Sequence, residues 1–258
     1  MTSSVSRRGL AFGIGIILTA SALTGCSGTA PGELGRLQSL LESCPDRPLS
    51  TLIQLEESGS ARDDALTKER LAVVEKITER TLVCTGHLTV TVFSSSSGAS
   101  ATLYDGDVTI QTPTVNARLK KVPAASQQIA REIAAAFEPA VAGLPADGSD
   151  VLAAYRVMGE QAAQFPAYRS ESYLVTDGLA NVGPVQITSA LSKEQAAALA
   201  EQVSVPTLPS DASVTVVGLG RVAGDPVPSP VIEGMVYLHD AICQRTGAAE
   251  CLSVTYLR

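Results

Sequence analysis

The chain has 258 residues, of which 17% are charged, 45% apolar and 4% aromatic, with 26 acidic against 19 basic residues and a formal net charge of −7. This apolar content excludes a disordered chain, which lacks the surface to offset its ordering entropy. The one long apolar stretch lies at the N-terminus, which excludes a polytopic membrane protein. A nucleic-acid binder is disfavoured too, because Lys and Arg form no cluster, Trp is absent and aromatics are too few for a stacking platform.

The first segment is an address. Arg7 and Arg8 give a positive start, Leu10 to Ala22 form an apolar run of secretory length, and no acidic residue precedes Glu33. This is the pattern of a signal peptide, expected over residues 1–25. It ends in Leu23-Thr24-Gly25-Cys26, which resembles a bacterial lipobox. That resemblance implies a diacylglycerol, palmitate-type anchor on the Cys26 thiol, with cleavage just before it. The paired arginines also resemble a twin-arginine export signal. Residues 26–40 are expected as a lipid-anchored tether, small and Gly/Pro-containing at first. Residues 41–258 then fit one domain of the larger kind.

With Cys26 lipidated, Cys44, Cys84, Cys243 and Cys251 remain, an even number for an oxidising compartment. Cys243 and Cys251 are close enough in sequence to pair, which leaves Cys44 with Cys84. No CxxC occurs and there are only two His, so the spacing matches no zinc pattern.

Within the domain, residues 51–55 (TLIQL) form a buried strand that runs into Glu56-Glu57-Ser58-Gly59-Ser60. Asp63 and Asp64 open a helix over 63–81, with Leu66, Leu71, Val74 and Ile77 as its apolar stripe. His87 to Phe93 alternates and is β-branched, hence a strand, and residues 101–111 are a second extended segment. Helices follow over 124–142 and about 150–165, then a strand over 171–176 ending in Asp177-Gly178. The last elements are an Ala-rich helix over 191–203, a strand over 213–218, a helix over 229–246 and a strand over 251–257. Strands alternating with helices predict an α/β fold of three layers. Its central sheet has about six strands, mostly parallel, with one antiparallel edge strand and helices on both faces.

Ligands of an open parallel sheet sit at the carboxyl ends of its strands. Those ends carry Glu56-Glu57-Ser58-Gly59-Ser60, the loop Asp147-Gly148-Ser149-Asp150, and Thr176-Asp177-Gly178. Carboxylate and hydroxyl oxygens without His or Cys are what a hard cation such as Mg²⁺ selects.

The order strand–ExSxS–helix–hairpin–helix–GSD–helix–strand–TDG resembles the von Willebrand factor A (VWA) domain family over about residues 48–257. The resemblance implies a metal-ion-dependent adhesion site. Its DxSxS aspartate falls on Glu56, its serines on Ser58 and Ser60, its threonine on Ser149 and its late aspartate on Asp177. Glu56 is one methylene longer than the family's aspartate, and Ser149 lacks the rotamer-restricting methyl of threonine. The cofactor so implied is Mg²⁺ at a divergent site. In this fold Cys44 and Cys84 precede neighbouring parallel strands, consistent with their pairing.

These features predict a lipoprotein exported to the outer face of the bacterial cytoplasmic membrane. It would hold to the membrane through its N-terminal lipid and bind or adhere to an envelope or extracellular protein, without nucleic acid. The loops 94–100, 178–190 and 221–230 would frame the contact. The alternative is a solute- or lipid-binding lipoprotein with a pocket between sheet and helices. An enzyme is not expected: no GxSxG elbow occurs, His87 starts a strand at the amino end, and Glu56 and Glu57 point to opposite faces.

Overall fold

The computed structural model describes residues 32–57, 63–94, 99–145, 148–183 and 185–257. In chain order the elements are α1 (Glu33–Glu42), β1 (Leu49–Glu56), α2 (Asp64–Cys84), β2 (Gly86–Phe93), β3 (Ser100–Asp107), α3 (Val115–Leu119) and α4 (Val122–Ala142). A 3₁₀ turn (Val151–Ala153), α5 (Ala154–Gln164), β4 (Arg169–Val175), α6 (Lys193–Ala200), β5 (Ser213–Val217), α7 (Ser229–Thr246) and β6 (Glu250–Val254) complete it. The expected signal peptide, Cys26, the start of the tether, Ser58, Ser60 and Asp147 lie outside the described residues. Among the described residues no helix is long and apolar enough to cross a membrane.

The strands form one sheet in the order β3-β2-β1-β4-β5-β6. All neighbours are parallel except β2 and β3. The fold is therefore the expected α/β arrangement, with its antiparallel strand at one edge. β1 is buried along all eight residues, as a central parallel strand covered on both faces must be. Its alternation divides the core. Leu52 joins Leu174, Val214, Tyr155, Met158 and Leu238 under α5 and α7, while Ile53 and Leu55 join Val90, Val92, Val74, Ile77 and Ile133 under α2 and α4. Each such side chain contributes about 1.5–3 kcal/mol on burial, so a one-residue slip of β1 would exchange both sets at once.

Residues 33–40 correct the tether reading: they belong to α1. Leu34, Leu37, Leu40 and Leu41 pack onto the α2 side of the core, with Leu37 only 1% exposed. That stripe anchors a helix with no side-chain N-cap. α3 is a single turn started by Thr114 Oγ1, which accepts from Ala117 N. Two disulfides, Cys44–Cys84 and Cys243–Cys251, lie at the amino end of the sheet, before β1 and β2 and at the start of β6.

The β2–β3 edge carries an ionic clamp. His87 Nδ1 and Nε2 each lie 2.9 Å from a carboxylate oxygen, of Asp107 and Asp105 respectively, and the ring stacks on Phe165 at 4.4 Å. Only the doubly protonated imidazolium can donate to both. Partial burial opposes its charge, but the two carboxylates outweigh it, so the pKa is raised above the ordinary value. This stability is fully present below the unfolded histidine value of about 6.5 and is lost as pH rises through the folded value. Both aspartates are mostly exposed, so solvent screening holds the effect to about 1 kcal/mol. Denaturant unfolding should show wild type more stable than His87→Gln at pH 5.5, with the gap closing by pH 9. A gap independent of pH would contradict the clamp.

Candidate functional site

The sheet order reverses direction between β1 and β4, and such a switch point opens a crevice at the carboxyl ends of the two strands. β1 ends in Glu56 and β4 leads into Thr176-Asp177. The β1–β4 register pairs Leu55 with Val175, so Glu56 follows the last pair on one strand and Thr176 on the other. Thr176 N donates to Val217 O, continuing the ladder into β5.

Asp177 is fully buried. Its Oδ1 accepts from Leu179 N at 2.9 Å, and Thr176 Oγ1 accepts from Gly178 N at 2.9 Å. These local bonds bend the chain sharply after β4. Gly178 takes φ +83°, where a side chain is strained, and a Cβ there would meet the Leu219 and Met235 side-chain ends at 2.6 and 2.9 Å and push them aside.

Ser149 reaches the same end through backbone bonds. Its carbonyl oxygen accepts from Asn181 N and Val182 N, both at 3.2 Å, and its N–H donates to Asn181 Oδ1 at 2.7 Å. The loop before α5 is thereby tied to the segment just beyond Asp177. Ser149 is 1% exposed, and its Oγ is buried with no hydrogen-bond partner among the described residues. The helix cap in this loop is Asp150, not Ser149: Asp150 Oδ1 accepts from Ala153 N, and burial raises its carboxyl pKa.

Glu56 is fully buried. Strand alternation gives it the face of Gln54, whose Nε2 donates to Ala154 O at the start of α5. Glu57 takes the opposite role. Its Oε1 accepts from Arg70 Nη1 at 2.9 Å, and the same nitrogen donates to Glu56 O at 2.7 Å. Both side chains of this pair are nearly inaccessible. Sequence reasoning does not find the pair, because α2 brings Arg70 to Glu57 across thirteen residues with no local periodicity.

The structure thus brings the segments bearing Glu56, Ser149 and Asp177 to one end of the two central strands. The donors are carboxylate and hydroxyl oxygens, a set that fits a hard cation rather than zinc or copper. Among the described residues no group of three or more His, Cys, Asp or Glu converges. Neither histidine belongs here. His87 lies at the amino end of β2. His239 is buried between α7 and α5, 3.1 Å from the Tyr155 hydroxyl, and desolvation lowers its pKa to about 4.

The protein's class is that of an open, mostly parallel α/β sheet with an oxygen-rich switch point. No family model matches the chain, and no curated protein matches it. Among solved structures it is similar to an aerotolerance-related membrane protein from Bacteroides fragilis, with 14% identity and a TM-score of 0.42, covering 81% of this chain and 91% of that one. It is also similar to the conserved hypothetical protein BatB from Bacteroides thetaiotaomicron, with 15% identity and a TM-score of 0.39, covering 79% and 89%. The pilus adhesin SpaC from Lactobacillus rhamnosus GG gives 10% identity and a TM-score of 0.39, covering 81% of this chain and 28% of the adhesin.

Proposed function

We propose that this chain is a cell-envelope lipoprotein whose VWA-like domain mediates protein–protein interaction or adhesion through the carboxyl end of its sheet. A lipid on Cys26 would hold it to the outer face of the cytoplasmic membrane. Glu56, Ser149 and Asp177, with Ser58 and Ser60 of the ExSxS motif, would hold Mg²⁺. When bound, the cation supplies a positive centre that can accept a carboxylate from an envelope or extracellular partner.

One observation carries this reading: the buried Ser149 Oγ, without a partner among the described residues, in a loop tied to the segment that follows Asp177. A buried hydroxyl left without a bond costs about 1–3 kcal/mol, and a cation ligated by it would remove that cost. A non-catalytic role is supported by the histidines. One is a buried neutral ring and the other is engaged by two aspartates at the far end of the sheet.

Calorimetry on the purified full chain should register binding of Mg²⁺ or Mn²⁺, weakened at least tenfold in Asp177→Asn. Equal binding by wild type and variant would remove the cation from this site. Capture of an envelope protein that chelator abolishes would support the contact, whereas capture indifferent to both chelator and Asp177→Asn would place the interface elsewhere.

A further inference from the structure

A cavity lies on the α2 side of the sheet, between α2 and the segment that follows β6. It measures about 250 Å³. Its walls are apolar: Val73 on α2, Val175 and Val217 at the ends of β4 and β5, and Leu257 behind β6. Three cations and one carboxylate also line it, in a protein whose net charge is −7. Arg70 is committed to Glu57, and Arg221 Nη2 donates to Glu69 at 2.6 Å.

Two donors remain. Arg221 Nε–H is buried and has no acceptor among the described residues, and the guanidinium carbon lies over the Tyr256 ring, 4.8 Å from its centroid. Lys76 lines the same cavity and forms no ion pair among the described residues. The hydrocarbon walls reject a wholly polar solute, and the Arg221 and Lys76 cations that line them call for an anionic acceptor. Small-molecule sites have this design, an apolar concavity with a few convergent polar groups.

We propose that this cavity binds a small anionic amphiphile, with its hydrocarbon body against Val73, Val175, Val217 and Leu257 and its carboxylate on Arg221 and Lys76. The volume is just under the usual range for drug-sized ligands, so it suits a body of roughly ten to twelve non-hydrogen atoms. The cavity borders the carboxyl ends of the same strands, but the side chains that would take its ligand, Arg221 and Lys76, are not those of the cation reading.

The test uses three probes with one hydrocarbon body: 4-phenylbutyrate, 4-phenylbutanol and 4-phenylbutylamine. Each is titrated by calorimetry into the purified full chain. The carboxylate should bind at least tenfold tighter than the amine. Arg221→Gln and Lys76→Gln should each weaken the carboxylate, Arg221→Gln at least tenfold, while leaving the alcohol unchanged. Val73→Phe, which fills the cavity, should abolish binding of the carboxylate and the alcohol. Thermal melts report whether each variant folds, and Lys76 is an exposed side chain. Equal binding of the three heads, carboxylate affinity unchanged in both charge variants, or no binding of any probe at millimolar concentration would each overturn the proposal.

Discussion

Replacing Arg70 by methionine should destabilise the protein by about 3–5 kcal/mol, the range for stripping one partner from a buried ion pair. Arg70 and Glu57 retain 7% and 2% of their side-chain exposure, with 2.9 Å between Nη1 and Oε1. Methionine fills much the same volume but leaves the Glu57 carboxylate where water cannot replace the lost donor. Arg70 also bonds Glu56 O, so the variant loosens the last residue of β1. The pair separates from simple packing in two ways. A double variant, Glu57→Leu with Arg70→Met, should recover most of the loss, since a buried pair exchanged for apolar groups is often neutral. The gap between wild type and Arg70→Met should also narrow as pH falls through the carboxylate range, because protonating Glu57 removes the charge that Arg70 offsets in the wild type. Urea unfolding across pH reads both effects. A double variant as unstable as Arg70→Met alone would show that shape, not charge, sets the cost.

The disulfides should differ in weight according to the loops they close. Cys44 and Cys84 are separated by 40 residues and Cys243 and Cys251 by 8. In the chain-entropy account the first cross-link stabilises by about 4 kcal/mol and the second by about 2.5 kcal/mol. The Cys44–Cys84 bridge also fastens the end of α1 to the end of α2, where Arg36 pairs with Glu79 and Leu37 is buried. Cys44→Ala with Cys84→Ala should therefore both lower the unfolding midpoint and raise amide exchange across α1. Cys243→Ala with Cys251→Ala should cost less and leave α1 protected. Equal losses from the two variants would show that loop length does not govern what each bridge contributes.

Most elements are legible because their signals are local. The helix expected over 229–246 matches α7 to the residue: Pro230 suits a first turn, and Gly247 takes the left-handed cap at φ +80°. Asp63 starts α2 by accepting from Ala65 N and Leu66 N, as its position before an apolar stripe predicts. α1 reads as tether in the sequence because Gly32 offers no capping side chain, although Leu34, Leu37 and Leu41 repeat at helical spacing. α3 escapes the reading because five residues carry no periodicity. At the candidate site the oxygen-bearing turns are visible as motifs. The bond from Ser149 to Asn181, which ties one of those turns to another, is not, since it joins residues 32 apart.

Local chemistry along the chain dictates the alternation of strands and helices, the caps, the even set of cysteines and the oxygen-rich turns, because each depends on neighbours within a turn or two of chain. Only the assembled fold puts β1 at the centre, sets Arg70 against Glu57, and brings Arg221, Glu69 and Tyr256 together beside one cavity. Those outcomes follow from which faces can be buried together once the sheet has formed. Burial makes a charge seek a partner wherever the fold supplies one, with no regard to separation along the chain.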